Sequence, residues 1–87
     1  MHEQALMRDL MQKITAEAET EGATRVTRIS VRLGALSHLT EAHFREHFEE
    51  ASRGTVAEGA AVDAKLATDP TEPDAQGVVL ESIEVEA

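Results

Sequence analysis

Apolar positions recur every four residues along the first stretch of the chain, at Leu6, Leu10, Ile14 and Ala18, with Met7 and Met11 beside them. Arg8, Asp9, Gln12, Lys13, Glu17 and Glu19 fill the other side. The spacing predicts an amphipathic helix from Glu3 to Glu21, with Gly22 as its C′ residue. Met7 and Met11 read as flexible core filler on that stripe. From Arg25 to Leu33 the period changes to two. Ile29, Val31 and Leu33 alternate with Arg28, Ser30 and Arg32, which predicts a strand with one buried face and a basic, solvated one. Gly34 ends the strand, and Leu33-Gly34-Ala35-Leu36-Ser37 makes a turn.

A second helix is predicted over Thr40 to Ser52. Thr40 is a good N-cap. Leu39 and Phe44 fall at the N′ and N4 positions of a hydrophobic staple. Phe44, Phe48 and Ala51 supply the inward stripe, and Gly54 is the stop. Val62 to Thr68 reads as a short strand, with Val62, Ala64 and Leu66 on one face and Asp63 and Lys65 on the other. Val78 to Glu86 reads as a third strand whose alternation changes phase: Val78 and Leu80 sit in one phase, Ile83 and Val85 in the other. A bulge near Glu81 reconciles them. Two prolines, three acids and a glycine make Asp69 to Gly77 a loop. The fold class that follows is α+β: two helices packed on a small three-stranded mixed sheet, in a single two-layer domain covering 1–87. The last two strands, joined by a short loop, are expected to be antiparallel neighbours.

Composition narrows the chemistry. The chain has 87 residues, enough for one modest core. It has no Cys, so disulfides, thiolate zinc sites and thiol nucleophiles are excluded together. Phe44 and Phe48 are its only aromatic residues, which makes the rest of the core aliphatic and rich in alanine. A net charge of −9, from 8 basic and 17 acidic side chains, argues against nucleic acid as a partner. No apolar run approaches a membrane span and no signal peptide is apparent. The expectation is a soluble, cytoplasmic protein with no membrane association. No Gly-rich phosphate loop or nucleophile elbow is present, and no pair of carboxylates stands apart from the solvated faces. The chain is not expected to be an enzyme.

Met1-His2-Glu3 carries the sharpest candidate chemistry. An α-amine, the backbone nitrogens behind it and the His2 imidazole lie within chelating distance along the chain. Ni²⁺ and Cu²⁺ favour a tetragonal set of nitrogen donors. Binding through displaced amide protons should strengthen as pH rises. Met1 is expected to remain, because His2 is too large to permit removal of the initiator. The helix behind the tripeptide would root it on a rigid element, although the positive helix end modestly disfavours a cation. A solvated terminal histidine is the competing reading. His43 and His47 share a helix face and can in principle hold a metal. The His-Glu-x-x-His pattern fails here for lack of the Glu, and the pair reads instead as a solvated boundary face.

These residues resemble the HypA/HybF hydrogenase maturation proteins. The resemblance rests on Met1-His2-Glu3, on Met7-Arg8-Asp9-Leu10, and on Arg25 to Ser37 with its ending Val31-Arg32-Leu33-Gly34-Ala35-Leu36-Ser37. It extends to Phe48-Glu49-Glu50-Ala51, to Gly54-Thr55-Val56-Ala57-Glu58-Gly59-Ala60 and to Ser82-Ile83-Glu84-Val85-Glu86. It implies a nickel metallochaperone for [NiFe]-hydrogenase, with Ni²⁺ held by Met1, His2 and Glu3. It also implies a HypB-like GTPase and the hydrogenase large subunit as partners. The family's zinc-ribbon lobe, with two Cys pairs, has no counterpart, and the loop over 69–77 takes its place, so no structural zinc is expected. His38 becomes a further ligand if the Leu36-Ser37 turn sits near the amino terminus; otherwise it is a solvated turn histidine. The alternative function is a metal-independent interaction or scaffold module that binds hydrogenase-maturation partners. A third is a small homo-oligomer paired through an exposed sheet edge.

Overall fold

A computed structural model describes residues 2–87, with side chains from Gln4 onward. Five elements follow in order: α1 (His2–Thr20), β1 (Arg25–Leu33), α2 (Glu41–Ser52), β2 (Ala61–Leu66) and β3 (Val78–Glu86). Both helices pack on one face of a three-stranded sheet. The shared core takes Met7, Leu10, Ile14 and Ala18 from α1, Phe44 and Phe48 from α2, and Val26, Ile29, Val31 and Leu33 from β1. The two-layer α+β architecture with a mixed sheet is the expected one. Among the described residues no helix is long and apolar enough to cross a membrane.

Each helix ends as its sequence signals require. Gly22 takes φ +66°. The Ala23 amide donates to the Ala18 carbonyl at 2.9 Å and the Gly22 amide to Glu19 at 3.0 Å, the paired bonds of a Schellman stop. At α2, the Thr40 hydroxyl accepts the His43 amide at 3.1 Å. Leu39 and Phe44, on either side of that cap, are both buried. Thr40→Ala is expected to lower stability by about 1 kcal/mol. Chemical denaturation would check this, and an unchanged midpoint would show the cap to be idle.

The strand order is β2-β1-β3, with β1 parallel to β2 and antiparallel to β3. The expectation that β2 and β3 pair with each other is therefore wrong. β1 lies between them, its Val26, Ile29, Val31 and Leu33 fully buried, as suits a strand paired on both edges. The connecting segment crosses the end of β1 instead of turning back. Its path is traced by backbone bonds from Ala67 to the Leu33 carbonyl at 2.8 Å, from Leu36 to Ala75 at 2.7 Å and from Gly34 to Gly77 at 2.8 Å. β2 stops at Leu66, short of the expected Thr68, because β1 has turned away at Gly34 and offers no further ladder.

The bulge at Glu81 is present: Ser30 pairs with Ser82 and Val31 with Leu80, leaving Glu81 unpaired. It brings Leu80 and Ile83 onto the same core face. A second irregularity lies at Thr27 in β1, where the expected alternation is simple; Val26 pairs with Val85 and Arg28 with Glu84. It sets Val26 and Ile29 together in the core. On the open face Arg32 meets Glu81 at 3.2 Å and Arg28 meets Glu84 at 3.8 Å. These solvent-facing pairs contribute little to stability.

The loop over 69–77 is ordered by its own polar groups and by β1. The Asp69 carboxylate accepts the Thr71 hydroxyl at 2.6 Å and the Thr71 amide at 2.9 Å. These bonds hold the Asp69 carboxyl below the usual carboxylate range. The turn they form is intact at neutral pH and weakens as pH falls through the lowered pKa.

Candidate metal centre at the amino-terminal end

The expectation placed on Met1-His2-Glu3 falls outside the described residues, which begin at residue 2 for the backbone and at Gln4 for side chains. What lies next to it is described. A cleft of about 530 Å³ is lined by Ala5, Leu6 and Asp9 of α1, by Leu36, Ser37 and His38 of the turn after β1, and by Gln76 of the loop. The turn bearing His38 thus sits against Ala5, Leu6 and Asp9, in the first turns of α1.

The turn is built to hold that place. The Ser37 amide donates to the Gly34 carbonyl at 3.0 Å, and the Ser37 hydroxyl donates to the same oxygen at 2.8 Å. Ser37 Oγ in turn accepts the Leu39 amide at 3.4 Å. His38 adopts φ +61°, in the left-handed region, and is exposed. Histidine tolerates that region better than most residues. Its backbone conformation sets where the imidazole leaves the chain, on the turn between β1 and the Thr40 cap.

Asp9 is the residue that sequence reasoning passed over. It brings a carboxylate to the same cleft as His38. Ala5 and Asp9 stand at i, i+4 spacing and so share a helix face, but nothing in the sequence shows which surface that face meets. Among the described residues no group of three or more His, Asp or Glu side chains converges on one point. Asp9 and His38 therefore make at most a partial donor set.

The His43 and His47 pair lies apart from this cleft, on α2. The ring centroids are 5.8 Å apart with planes at 53°. His43 is exposed and His47 half-buried, as a boundary face implies. His47 borders a groove of about 750 Å³ between the helices, together with Gln4, Met7, Met11 and Ala51.

The family model described as "Hydrogenase/urease nickel incorporation, metallochaperone, hypA" matches residues 1–72. The chain is 35% identical over 63 residues to the hydrogenase maturation factor HypA of Chlorobium limicola, covering 72% of this chain and 54% of that protein. It is 40% identical over 62 residues to HypA of Pyrococcus furiosus, covering 71% and 45%. It is 39% identical over 59 residues to the maturation factor HybF of Salmonella typhimurium, covering 68% and 52%. The chain spans about half the length of these relatives. Its fold matches the solution structure of the Ni metallochaperone HypA from Helicobacter pylori with a TM-score of 0.78 at 18% identity, over 98% of this chain and 97% of that one.

Proposed function

Because the chain belongs to the HypA family, whose description is of a nickel-incorporation metallochaperone and not of an enzyme, we propose that it binds Ni²⁺ at its amino terminus and passes the ion to a hydrogenase under maturation. The observation that carries this reading is the span of the family match, which starts at residue 1 and so includes Met1-His2-Glu3. The donors are the Met1 amine, the His2 imidazole and the backbone nitrogens at His2 and Glu3, a nitrogen set suited to tetragonal Ni²⁺. His38 is a further ligand, supported by its place against the first turns of α1. A carboxylate from Asp9, in the same cleft, offsets part of the positive helix end that a cation meets there. The receiving partners are a HypB-like GTPase and the hydrogenase large subunit, in the cytoplasm. A shallow site suits transfer, because donors of an incoming protein can replace its ligands one at a time.

Calorimetric titration of untagged protein with Ni²⁺ tests the reading. His2→Ala, and a variant with one residue added before Met1, are each expected to bind at least tenfold more weakly, about 1.4 kcal/mol or more. His38→Ala is expected to show a smaller loss. Equal binding by parent, His2→Ala and the extended variant would overturn the amino-terminal site.

One observation favours a second reading, the metal-independent interaction module. The family match ends at Glu72, inside the loop over 69–77, and the sequence there has no Cys. We read that loop as standing where the zinc lobe is inserted in the family. Capture of a HypB-like GTPase or a hydrogenase large subunit that survives both chelator and His2→Ala would establish this second reading.

A further inference from the structure

His43 and His47 stand one helical turn apart on α2, with ring centroids 5.8 Å apart and planes tilted by 53°. That separation can be compared with what one bridging ion requires. A metal–imidazole bond is about 2.0–2.1 Å and the ring centre lies about 1.1 Å behind the nitrogen, so two bound rings have centroids between about 4.5 Å, for donors at a right angle, and about 6.4 Å, for donors in line. Neighbouring positions on one ion, at about 90–109°, call for centroids about 4.5–5.2 Å apart, so the observed 5.8 Å closes onto a shared ion with a small rotamer change. The flanking charge is mixed. Glu46 and Glu50 each follow a histidine by three positions, and Arg45 is paired with Glu41 at 3.6 Å. Arg8 lies across the groove from His47.

We propose that His43 and His47 form a second divalent-metal site, an open two-imidazole chelate separate from the amino terminus. Imidazole donors select the late first-row ions Ni²⁺, Cu²⁺ and Zn²⁺ over Mg²⁺ or Ca²⁺, which require oxygen. Among the described residues no third His, Asp or Glu converges on the pair, so water or a donor from beyond them completes the coordination, and the ion exchanges readily. The site lies at one end of the groove between the helices. The α1 wall of that groove includes Gln4, the residue following Met1-His2-Glu3.

The test uses the full chain carrying His2→Ala, which removes the amino-terminal imidazole and so separates this site from the one proposed above. Zn²⁺ is titrated while the histidine ring resonances are followed by NMR. The rings of His43 and His47 are expected to shift together and saturate at one ion per chain. Adding His43→Gln or His47→Gln is expected to weaken Zn²⁺ binding at least tenfold and to leave the remaining ring nearly unshifted. Circular dichroism should show the helices retained in both, since neither imidazole is in the core. Rings that do not respond to Zn²⁺, or either single variant keeping the parental affinity, would overturn the chelate.

Discussion

Phe44→Ala is expected to destabilise the chain by about 3–5 kcal/mol, a large share of the roughly 5–15 kcal/mol that holds a small domain folded. Phe44 is fully buried and is the largest of the fully buried side chains. It stacks on Phe48 with ring centroids 6.1 Å apart, and no other aromatic residue exists to share the load. Its neighbours in the core are Leu, Ile, Val, Met and Ala. Most of these side chains are short and branched and have little reach, so much of the space vacated by the ring stays empty. That puts the cost toward the upper part of the range. Phe44→Leu keeps most of the volume and is expected to lose about 1.5 kcal/mol or less. Urea denaturation followed by circular dichroism measures both. A loss below about 1 kcal/mol for Phe44→Ala would mean that the core collapses around the deletion and is less rigid than its packing implies.

Gly34→Ala is the second large effect, and its cause is different. A Cβ at Gly34 would lie 2.2 Å from the Ala75 carbonyl oxygen, 2.5 Å from its carbon and 2.6 Å from the Asp74 carbonyl oxygen. All three are backbone atoms and none can swing aside as a side chain does. The strand end and the loop must part, and the bonds from Gly34 to Gly77 and from Leu36 to Ala75 weaken with them. Overpacking and lost backbone bonds together are expected to cost about 2–4 kcal/mol. Gly22→Ala is the proper comparison. Gly22 has φ +66° but open space around its missing Cβ, so only the left-handed conformation is penalised, by about 1 kcal/mol. Limited proteolysis should find the segment 67–77 newly cleavable in Gly34→Ala and not in Gly22→Ala. Equal stability of the two variants would show that the close approach at Gly34 relaxes without cost.

Local features of the fold were legible wherever one residue type admits one role. Thr40 between Leu39 and Phe44 announced a capped helix start. Gly22 announced a stop, and the phase change between Leu80 and Ile83 announced the bulge at Glu81. The three-residue spacing of Val26 and Ile29 carried the same kind of signal for Thr27 and went unread, because the clean alternation from Ile29 to Leu33 dominated the window. The neighbour of β3 was not legible. The segment leading to β3 packs Ala75 against Gly34, a contact between residues far apart in the chain, and Ala75 in a loop rich in Pro and Asp gave no hint that it would be buried. The candidate centre follows the same division. His38 was visible as a residue type, whereas its nearness to the first turns of α1, and the presence of Asp9 beside it, depend on how helix and sheet pack.

The central position of β1 governs how the chain reaches its fold. β1 is complete early in synthesis, and β2 and α2 close on one of its edges soon after. The other edge waits for β3, whose partners are distant: Thr27 meets Glu84 across 57 residues and Arg32 meets Glu81 across 49. Contacts of such long separation form late and slow the folding rate. At about 5–20 residues per second on the ribosome, the most deeply buried strand of the protein spends seconds with an open edge. A nascent chain stalled before Val78 would present Val26, Ile29, Val31 and Leu33 as a template for another strand, so the window in which this protein is most prone to aggregate closes only as β3 is made.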